Sequence, residues 1–334
     1  MKRRAALAIC TTALGDTLLC TPAVASLGAA YELDVLTHQR RRELFLHNPQ
    51  VSRVLPYRNN ALVRAWLSLR LRSRFYEAVA VLHANDDILK LLPHLRFGKA
   101  GNIQGWEKPE LGLGCLALEP ALHVLDKRLL LAQWAGGAEV QDKRMRVYLT
   151  AAEGERAEEW LLKRGLGPEN PRVALCPGAA YPYKMWPARS FGGLAKGLAE
   201  MGVICLVVGS APEERLAHEV RMAAGVPTVN ALGLPLRQAC ALLSRLDLLI
   251  TNDTGPMHMA QAVDAPVLAL FGPTDPATIG PRGDRAAVIK AEPTCQPCTT
   301  KACRQAECMA AISVESVLAK AREMLAKGRA RPGR

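Results

Sequence analysis

The amino-acid sequence predicts an α/β protein built from two doubly wound parallel sheets, and three observations carry that expectation. The chain has 334 residues, long for a single core and suited to two domains of about 150 residues each. Its composition, 49% apolar, 22% charged and 5% aromatic, is that of an Ala/Leu-rich globular protein. In both halves short β-rich runs alternate with helical stretches, and such sheets take ligands in the crevice at the carboxyl ends of their strands.

In the first half "AALAIC" (5–10), "ELDVLT" (32–37), "VSRVLPY" (51–57) and "EAVAVLH" (77–83) read as buried parallel strands. "TPAVASLGAA" and "DDILKLLPHL" read as helical, residues 101–120 as a Gly/Pro-rich loop, and "HVLDKRLLLAQWAGG" (123–137) as a helix stopped by Gly136 and Gly137. A charged helix after Thr150 leads into "RGLGPENP", where crowded Pro and Gly mark a linker. The second half gives the strands "RVALCPG", "VICLVVGS", "PTVNAL", "DLLIT" and "PVLALFG", with helices such as "SFGGLAKGLAEMG" and "PEERLAHEVRMAAG" between them. In the last of these Pro212 stands in the first turn and Gly225 at the end. The resulting division is 1–155 for the first domain, 156–171 for the linker, 172–326 for the second domain and 327–334 for a disordered basic tail, "KGRARPGR".

The first 26 residues carry a competing pattern. Lys2, Arg3 and Arg4, an apolar run and "AVA" before Ser26 have the layout of a cleavable export signal. Against it, Asp16 interrupts the apolar run, and Leu19 precedes Cys20 where a lipoprotein signal takes a small residue. No window approaches the roughly 18 apolar residues of a membrane-spanning helix.

The formal charge of +12 is unevenly placed. Between Arg40 and Arg74 nine arginines face one acid, Glu43, and Ala61, Leu62, Trp66, Leu69 and Phe75 are set among them. That is the pattern of a basic amphipathic helix or loop, which suits nucleic acid, acidic lipid, a phosphorylated glycolipid, or only solvent.

Six of the ten cysteines (10, 20, 115, 176, 205 and 240) are scattered, several of them in apolar strands, as expected for buried thiols in a reducing compartment. The other four, Cys295, Cys298, Cys303 and Cys308, have C-x2-C-x4-C-x4-C spacing. They suit structural zinc, an iron–sulfur cluster, or free thiols in a compact loop.

Three strand-to-helix turns carry chemistry. In "DLLITNDTGPMHMAQAV" a strand runs into Asn252, Asp253, Thr254 and Gly255 before a helix begins near Pro256. Gly255 lets a ligand approach the backbone and the helix N-terminus favours a phosphate, while Asp253 or Thr254 is equally suited to capping that helix. In "CPGAAYPYKMWP" Lys184, between Tyr183 and Trp186, reads as a phosphate contact or a surface lysine beside a packed Trp. In "ALGDTLLCTP" Asp16 follows Gly15 at a strand's carboxyl end, where a general base for a hydroxyl nucleophile belongs and where a helix cap also belongs.

Taken in order, Gly15-Asp16 with "TLLCTPAVASL", "ELDVL" through "NPQVSRVLPY", "PGAAYPYKMWP", "TNDTGPMHMAQAVDAPVLALFGPTDPATIGP" and "CQPCTTKACRQAECMAAI" resemble the bacterial heptosyltransferases, glycosyltransferase family 9, and in the Cys-rich segment the heptosyltransferase-II-like members. The resemblance covers essentially the whole chain and is most specific at 176–187 and 250–281.

It implies the GT-B fold, two Rossmann-like domains facing across a cleft, with the acceptor side in the N-terminal domain and the nucleotide sugar in the C-terminal one. It implies inverting, metal-independent transfer of heptose from ADP-heptose to the inner core of lipopolysaccharide. Asp16 is then the general base, with Gly15 beside it among the donor-binding residues, and Lys184 with the backbone at Thr254 and Gly255 stabilises the leaving diphosphate. Asp253 lines the same site, His258 stands one turn along the helix, and "GLPL" (233–236) is aligned with an adenine pocket. Glu213 resembles the acid that meets the donor ribose, although Glu214 fits the spacing as well.

The resemblance further implies a retained N-terminus, a cytoplasmic enzyme at the inner face of the cytoplasmic membrane, and no required cofactor. The basic stretch 40–74 then meets an anionic lipopolysaccharide acceptor and makes peripheral contact with the membrane; no nucleic-acid partner is expected. "HANDDILKLLPHLRFGKAGNIQGW" corresponds to the family's acceptor-side region and carries the acidic Asn85-Asp86-Asp87. Two rival readings stay open, a glycosyltransferase of the same fold with another nucleotide sugar, and a non-catalytic nucleotide-sugar or glycolipid binding protein. A nicotinamide oxidoreductase is a distant third reading, because no G-x-G-x-x-G follows any expected strand.

Overall fold

The computed structural model describes residues 4–106, 108–292, 295, 303 and 306–329. The chain forms two compact units, 1–148 and 149–334.

The first unit is a six-stranded, all-parallel sheet in the order β3-β2-β1-β4-β5-β6. Its strands are β1 (Ala5–Cys10), β2 (Glu32–His38), β3 (Arg53–Tyr57), β4 (Phe75–His83), β5 (Arg96–Asn102) and β6 (Leu113–Cys115). Its helices are α1 (Leu14–Leu19), α2 (Thr21–Ala30), α3 (Ala61–Arg72) and α4 (Val124–Trp134). The two-residue period of a strand sorts the core. Leu7, Ile9, Val79 and Val81 pack with Leu67 and Leu71 of α3. Ala6, Ala8, Ala78 and Ala80, also buried, point to the other face, on whose side α2 and α4 pack. Truncating Leu67 to Ala would cost about 2–5 kcal/mol, as buried leucines do.

Buried Asp34 on β2 accepts hydrogen bonds from Arg53 (2.6 and 3.0 Å) and from the Tyr76 hydroxyl (2.7 Å), with Arg74 3.4 Å away. Two of the nine clustered arginines are therefore structural. Burial, and then the neighbouring Asp34, push the Tyr76 phenol well above its usual range, so it stays a donor.

The second unit is another parallel six-stranded sheet, ordered β12-β11-β10-β7-β8-β9. Its strands are β7 (Val173–Cys176), β8 (Cys205–Gly209), β9 (Thr228–Leu232), β10 (Leu248–Asn252), β11 (Val267–Phe271) and β12 (Ala286–Lys290). The helices are α5 (Ala151–Leu162), α6 (Ala188–Ala199), α7 (Glu214–Ala224), α8 (Leu236–Leu243), α9 (Gly255–Ala262), α10 (Pro276–Ile279), α11 (Glu307–Ala310) and α12 (Val314–Arg329). Trp186, Phe191, Leu198, Ile250, Leu268 and Val317 share its main core. Gly192 lets α6 close on α7, since a Cβ there would lie 2.5 Å from the Ala223 methyl. Counted from its own first strand, each sheet has the order 3-2-1-4-5-6, so each has a switch point between its first and fourth strands, β1/β4 and β7/β10.

Several sequence expectations change here. "DDILKLLPHL" forms two 3₁₀ turns, Asp86–Lys90 and Leu92–His94, because Pro93 cannot continue a helix. The expected loop 101–120 contains the end of β5 and all of β6. Pro212 lies in a 3₁₀ turn, Ala211–Glu213, ahead of α7, while Gly225 ends α7 in the left-handed conformation as its position suggested. The segment read as a linker from 156 is helical through Leu162, and α5, started by a Thr150–Glu153 capping box, belongs to the second unit. Helix α12 runs on to Arg329, into the segment read as a disordered tail; 330–334 lie outside the described residues.

Candidate active site

In the first unit the chain leaves β1 and turns into α1 with Asp16 in the first helical turn, two residues past the start. The N-cap position is Ala13, whose methyl cannot accept a hydrogen bond, and the helix has no side-chain cap. It meets Arg128 of α4 instead: Nη2 donates to Oδ1 at 2.9 Å, and Nη1 donates to the Asp16 backbone carbonyl at 2.6 Å. Arg128 is 1% exposed and Asp16 26% exposed, so the guanidinium is buried and the carboxylate is presented. The other oxygen, Oδ2, faces His83 Nδ1 across 3.8 Å, too far for a hydrogen bond.

His83 ends β4, beside β1 at the switch point, and its Nδ1 lies 2.6 Å from the Thr12 hydroxyl. Burial, then the Arg128 charge, lowers its pKa, with Asp16 opposing, so the ring stays neutral near neutral pH. Gly15 immediately precedes Asp16 in the same turn. Arg41, whose pKa burial and neighbouring Arg40 lower, also feels the Asp16 charge.

In the second unit Lys184 sits in a 3₁₀ turn, Pro182–Lys184, after β7. Its ammonium donates to Asp253 Oδ2, and the Thr274 hydroxyl donates to the same oxygen at 2.7 Å. Here the carboxylate is the buried partner, 5% exposed against 17% for Lys184. The loop is fixed by Asn252 at the end of β10. Its Oδ1 accepts from the Trp186 backbone N–H (3.0 Å) and its Nδ2 donates to the Pro177 carbonyl (2.8 Å). Trp186 is itself buried, donating to the Ile312 carbonyl at 2.9 Å and packing edge-on against Phe191.

Thr254 is the N-cap of α9 in extended conformation, with no side-chain cap bond, and Gly255 opens the helix. The first-turn N–H groups and the dipole end are thus directed at whatever occupies the β10/α9 turn. His258, one turn on, is buried.

Glu213 and Glu214 separate clearly. The Glu213 carboxylate accepts from Ser210 N–H (2.5 Å) and hydroxyl (2.8 Å) and lies against Gly178 and Gly209, where a Cβ on Gly178 would come 1.6 Å from its oxygen. It therefore stands over the carboxyl ends of β7 and β8. Glu214 turns to Arg221 (2.9 Å) and Asn230 (3.0 Å). Burial, reinforced by Glu213, pushes the nearby Cys176 thiol up to about 12. A separate cavity of about 460 Å³ lies between α5 and α8; it is bordered by Leu234 and Pro235 of "GLPL" and by Trp160 and Arg237, and not by Lys184, Asp253 or Glu213.

Of the Cys quartet, Cys295, Cys303 and Cys308 are described and Cys298 lies outside the described residues. Among the described residues no group of three or more His, Cys, Asp or Glu side chains is arranged to hold a metal. In Asn85-Asp86-Asp87, Asp87 accepts from the Tyr57 hydroxyl and so has an internal partner.

Sequence reasoning singled out Asp16, Lys184, Asp253 and Glu213 and gave no role to Arg128, His83, Thr12, Asn252 and Thr274, which the structure sets around them. His83 had a detectable signal as the last residue of a strand. Arg128 had none, being 112 positions from its partner.

Two consecutive sheets of Rossmann order, with charged groups gathered at both switch points, are the fold of the GT-B glycosyltransferases. The profile of glycosyltransferase family 9 (heptosyltransferase) matches residues 117–309, and the chain belongs to that family. It is accordingly a transferase enzyme.

Lipopolysaccharide heptosyltransferase 2 of Salmonella typhimurium is 28% identical over 301 residues, covering 83% of this chain and 85% of that protein. Lipooligosaccharide heptosyltransferase 2 of Haemophilus influenzae is 34% identical over 155 residues, 44% of this chain and 45% of that protein. The solved E. coli ADP-heptose lps heptosyltransferase II superposes with a TM-score of 0.80 at 23% identity over 99% of this chain and 100% of that one, a likeness of fold.

Proposed function

We propose that the enzyme transfers heptose from ADP-heptose to the inner core of lipopolysaccharide, with inversion and without a metal. The observation that carries this reading is the held carboxylate of Asp16. Arg128 occupies Oδ1 and leaves Oδ2 unbonded at a sheet switch point, which suits a base for an acceptor hydroxyl.

As the acceptor oxygen bonds to the anomeric carbon, its proton passes to Asp16 and the bond from that carbon to the diphosphate oxygen breaks. Lys184 and the N-terminus of α9 at Thr254 and Gly255 meet the negative charge developing on the departing ADP. Preorganised groups of this kind are worth about 3–4 kcal/mol each. A carboxylate beside a diphosphate is repulsive, so Asp253 acts through Lys184 by holding it. Glu213 meets the ribose hydroxyls, "GLPL" borders the adenine, and His258 supports the α9 turn from within. The acceptor is an anionic, lipid-anchored glycan met by the basic first unit at the inner face of the cytoplasmic membrane.

Calorimetric titration with ADP-heptose, with UDP- and GDP-sugars as controls, tests the donor. Selective binding of ADP-heptose is expected. Preference for another nucleotide sugar would keep the fold and move the enzyme out of heptose chemistry, and binding without transfer to any acceptor would favour a binding protein.

A further inference from the structure

Helix α3 is built unlike an ordinary surface helix, which buries its apolar stripe and shows its polar one. Asn60 caps it, accepting from the Val63 N–H at 2.8 Å, and its inner side is anchored by Leu67 and Leu71, both fully buried. The outer side is apolar as well: Leu62 is 82% exposed, Trp66 41% and Leu69 70%. Spacings of four and three residues put these on one stripe over two turns. At 100° per residue, Arg70 and Arg72 fall about 80° to either side of that stripe. The Arg70 guanidinium lies over the Trp66 ring, 5.5 Å from its centroid, and Phe75 just beyond the helix is also exposed. From Arg40 to Arg74 the sequence sets one acid, Glu43, against nine arginines, of which Arg53 and Arg74 pair with Asp34 of β2 and leave a net positive stretch.

We infer that the outer face of α3 docks on an anionic lipid bilayer, inserting Leu62, Trp66 and Leu69 into the interface while Arg70 and Arg72 meet headgroup phosphates. Charge selects this occupant. A second copy meeting the same patch about a two-fold axis would set arginine against arginine, and a polyanion such as RNA would leave the leucines without an apolar partner. A bilayer offers phosphate at the surface and hydrocarbon just below it, in the order in which the stripe and its flanks present themselves. The inference extends the proposed lipid-anchored acceptor to the element that reaches its membrane, and the docking step itself needs no heptose.

The test is co-sedimentation of the full chain with phosphatidylethanolamine vesicles with and without phosphatidylglycerol. Binding is expected only to the anionic vesicles, with a blue shift of Trp66 emission that Trp66→Phe removes. Leu62→Gln/Leu69→Gln should weaken partition at least about tenfold, and Arg70→Gln/Arg72→Gln about fivefold per arginine. Both variants should keep the wild-type melting temperature and donor titration. Leucine variants that bind the anionic vesicles as tightly as wild type would overturn the inference, as would equal wild-type binding to neutral vesicles or none to either. Concentration-dependent self-association abolished in the leucine variants would also overturn it, in favour of a second copy. A lost preference for ADP-heptose with vesicle binding intact would instead count against the proposed donor and leave the docking face standing.

Discussion

The two units solve the same structural problem with opposite charges. Each has strand order 3-2-1-4-5-6, and each places an ion pair at its switch point, on helices α1 and α4 in the first unit and on the turns after β7 and β10 in the second. In the first unit a buried arginine holds a partly exposed aspartate; in the second a buried aspartate holds a partly exposed lysine. In both, the buried member holds the partly exposed one. The first unit thereby shows solvent a carboxylate and the second a cation, which are the two groups that the proposed proton removal and diphosphate departure call for.

Replacing the presented members should have the largest effects. Asp16→Asn, which keeps a polar group for Arg128, should lower turnover about a thousandfold, within the usual range for a lost general base. Lys184→Ala should lower it about 10²–10³-fold, as loss of one preorganised charge does, and should also lower the melting temperature, because the buried Asp253 carboxylate loses its cation.

Replacing a holder should cost less if the charge is kept. Arg128→Lys restores the cation without the paired contacts to Oδ1 and the backbone, and should lower turnover about tenfold with donor affinity unchanged. A drop in donor affinity instead would mean that the Asp16–Arg128 pair also serves the donor. Smaller still, Glu213→Gln should weaken donor binding about tenfold in calorimetry, the worth of one charge-assisted hydrogen bond, while Glu214→Gln leaves it unchanged.

A pH effect separates stability from chemistry. Glu153 pairs with Arg237, joining α5 to α8, and chiefly that hydrogen-bonded partner brings its pKa down to about 2. A folded-state pKa below the unfolded one gives stability that is present above about pH 4.5 and lost as pH falls toward 2. At roughly 1.4 kcal/mol per unit, discounted for partial solvation, the loss is about 2 kcal/mol. Urea midpoints of the wild type at pH 6 and pH 3 should show it, and Glu153→Gln should remove that part of the difference.

The central strands were legible because they are continuous apolar runs; β1 and α2 were read to the residue. The strands that were not legible, β5 ("RFGKAGN"), β6 ("LGC") and β12 ("AAVIK"), are rich in Gly or Lys or lie at a sheet edge, where one neighbour and partial exposure relax the demand for apolar side chains. The site divides likewise. Asp16, Lys184 and Asp253 follow strands, so local pattern found them. Arg128 and Thr274 reach their partners through tertiary packing, which no local pattern records. The choice between Glu213 and Glu214 needed geometry, since adjacent residues share every spacing argument and only one lies against Gly178.

The most direct test of the account is to measure donor affinity and sugar transfer on the same preparation of Asp16→Asn. Wild-type calorimetric binding of ADP-heptose is expected, with transfer reduced about a thousandfold. Transfer at the wild-type rate would contradict it and remove Asp16 as the base.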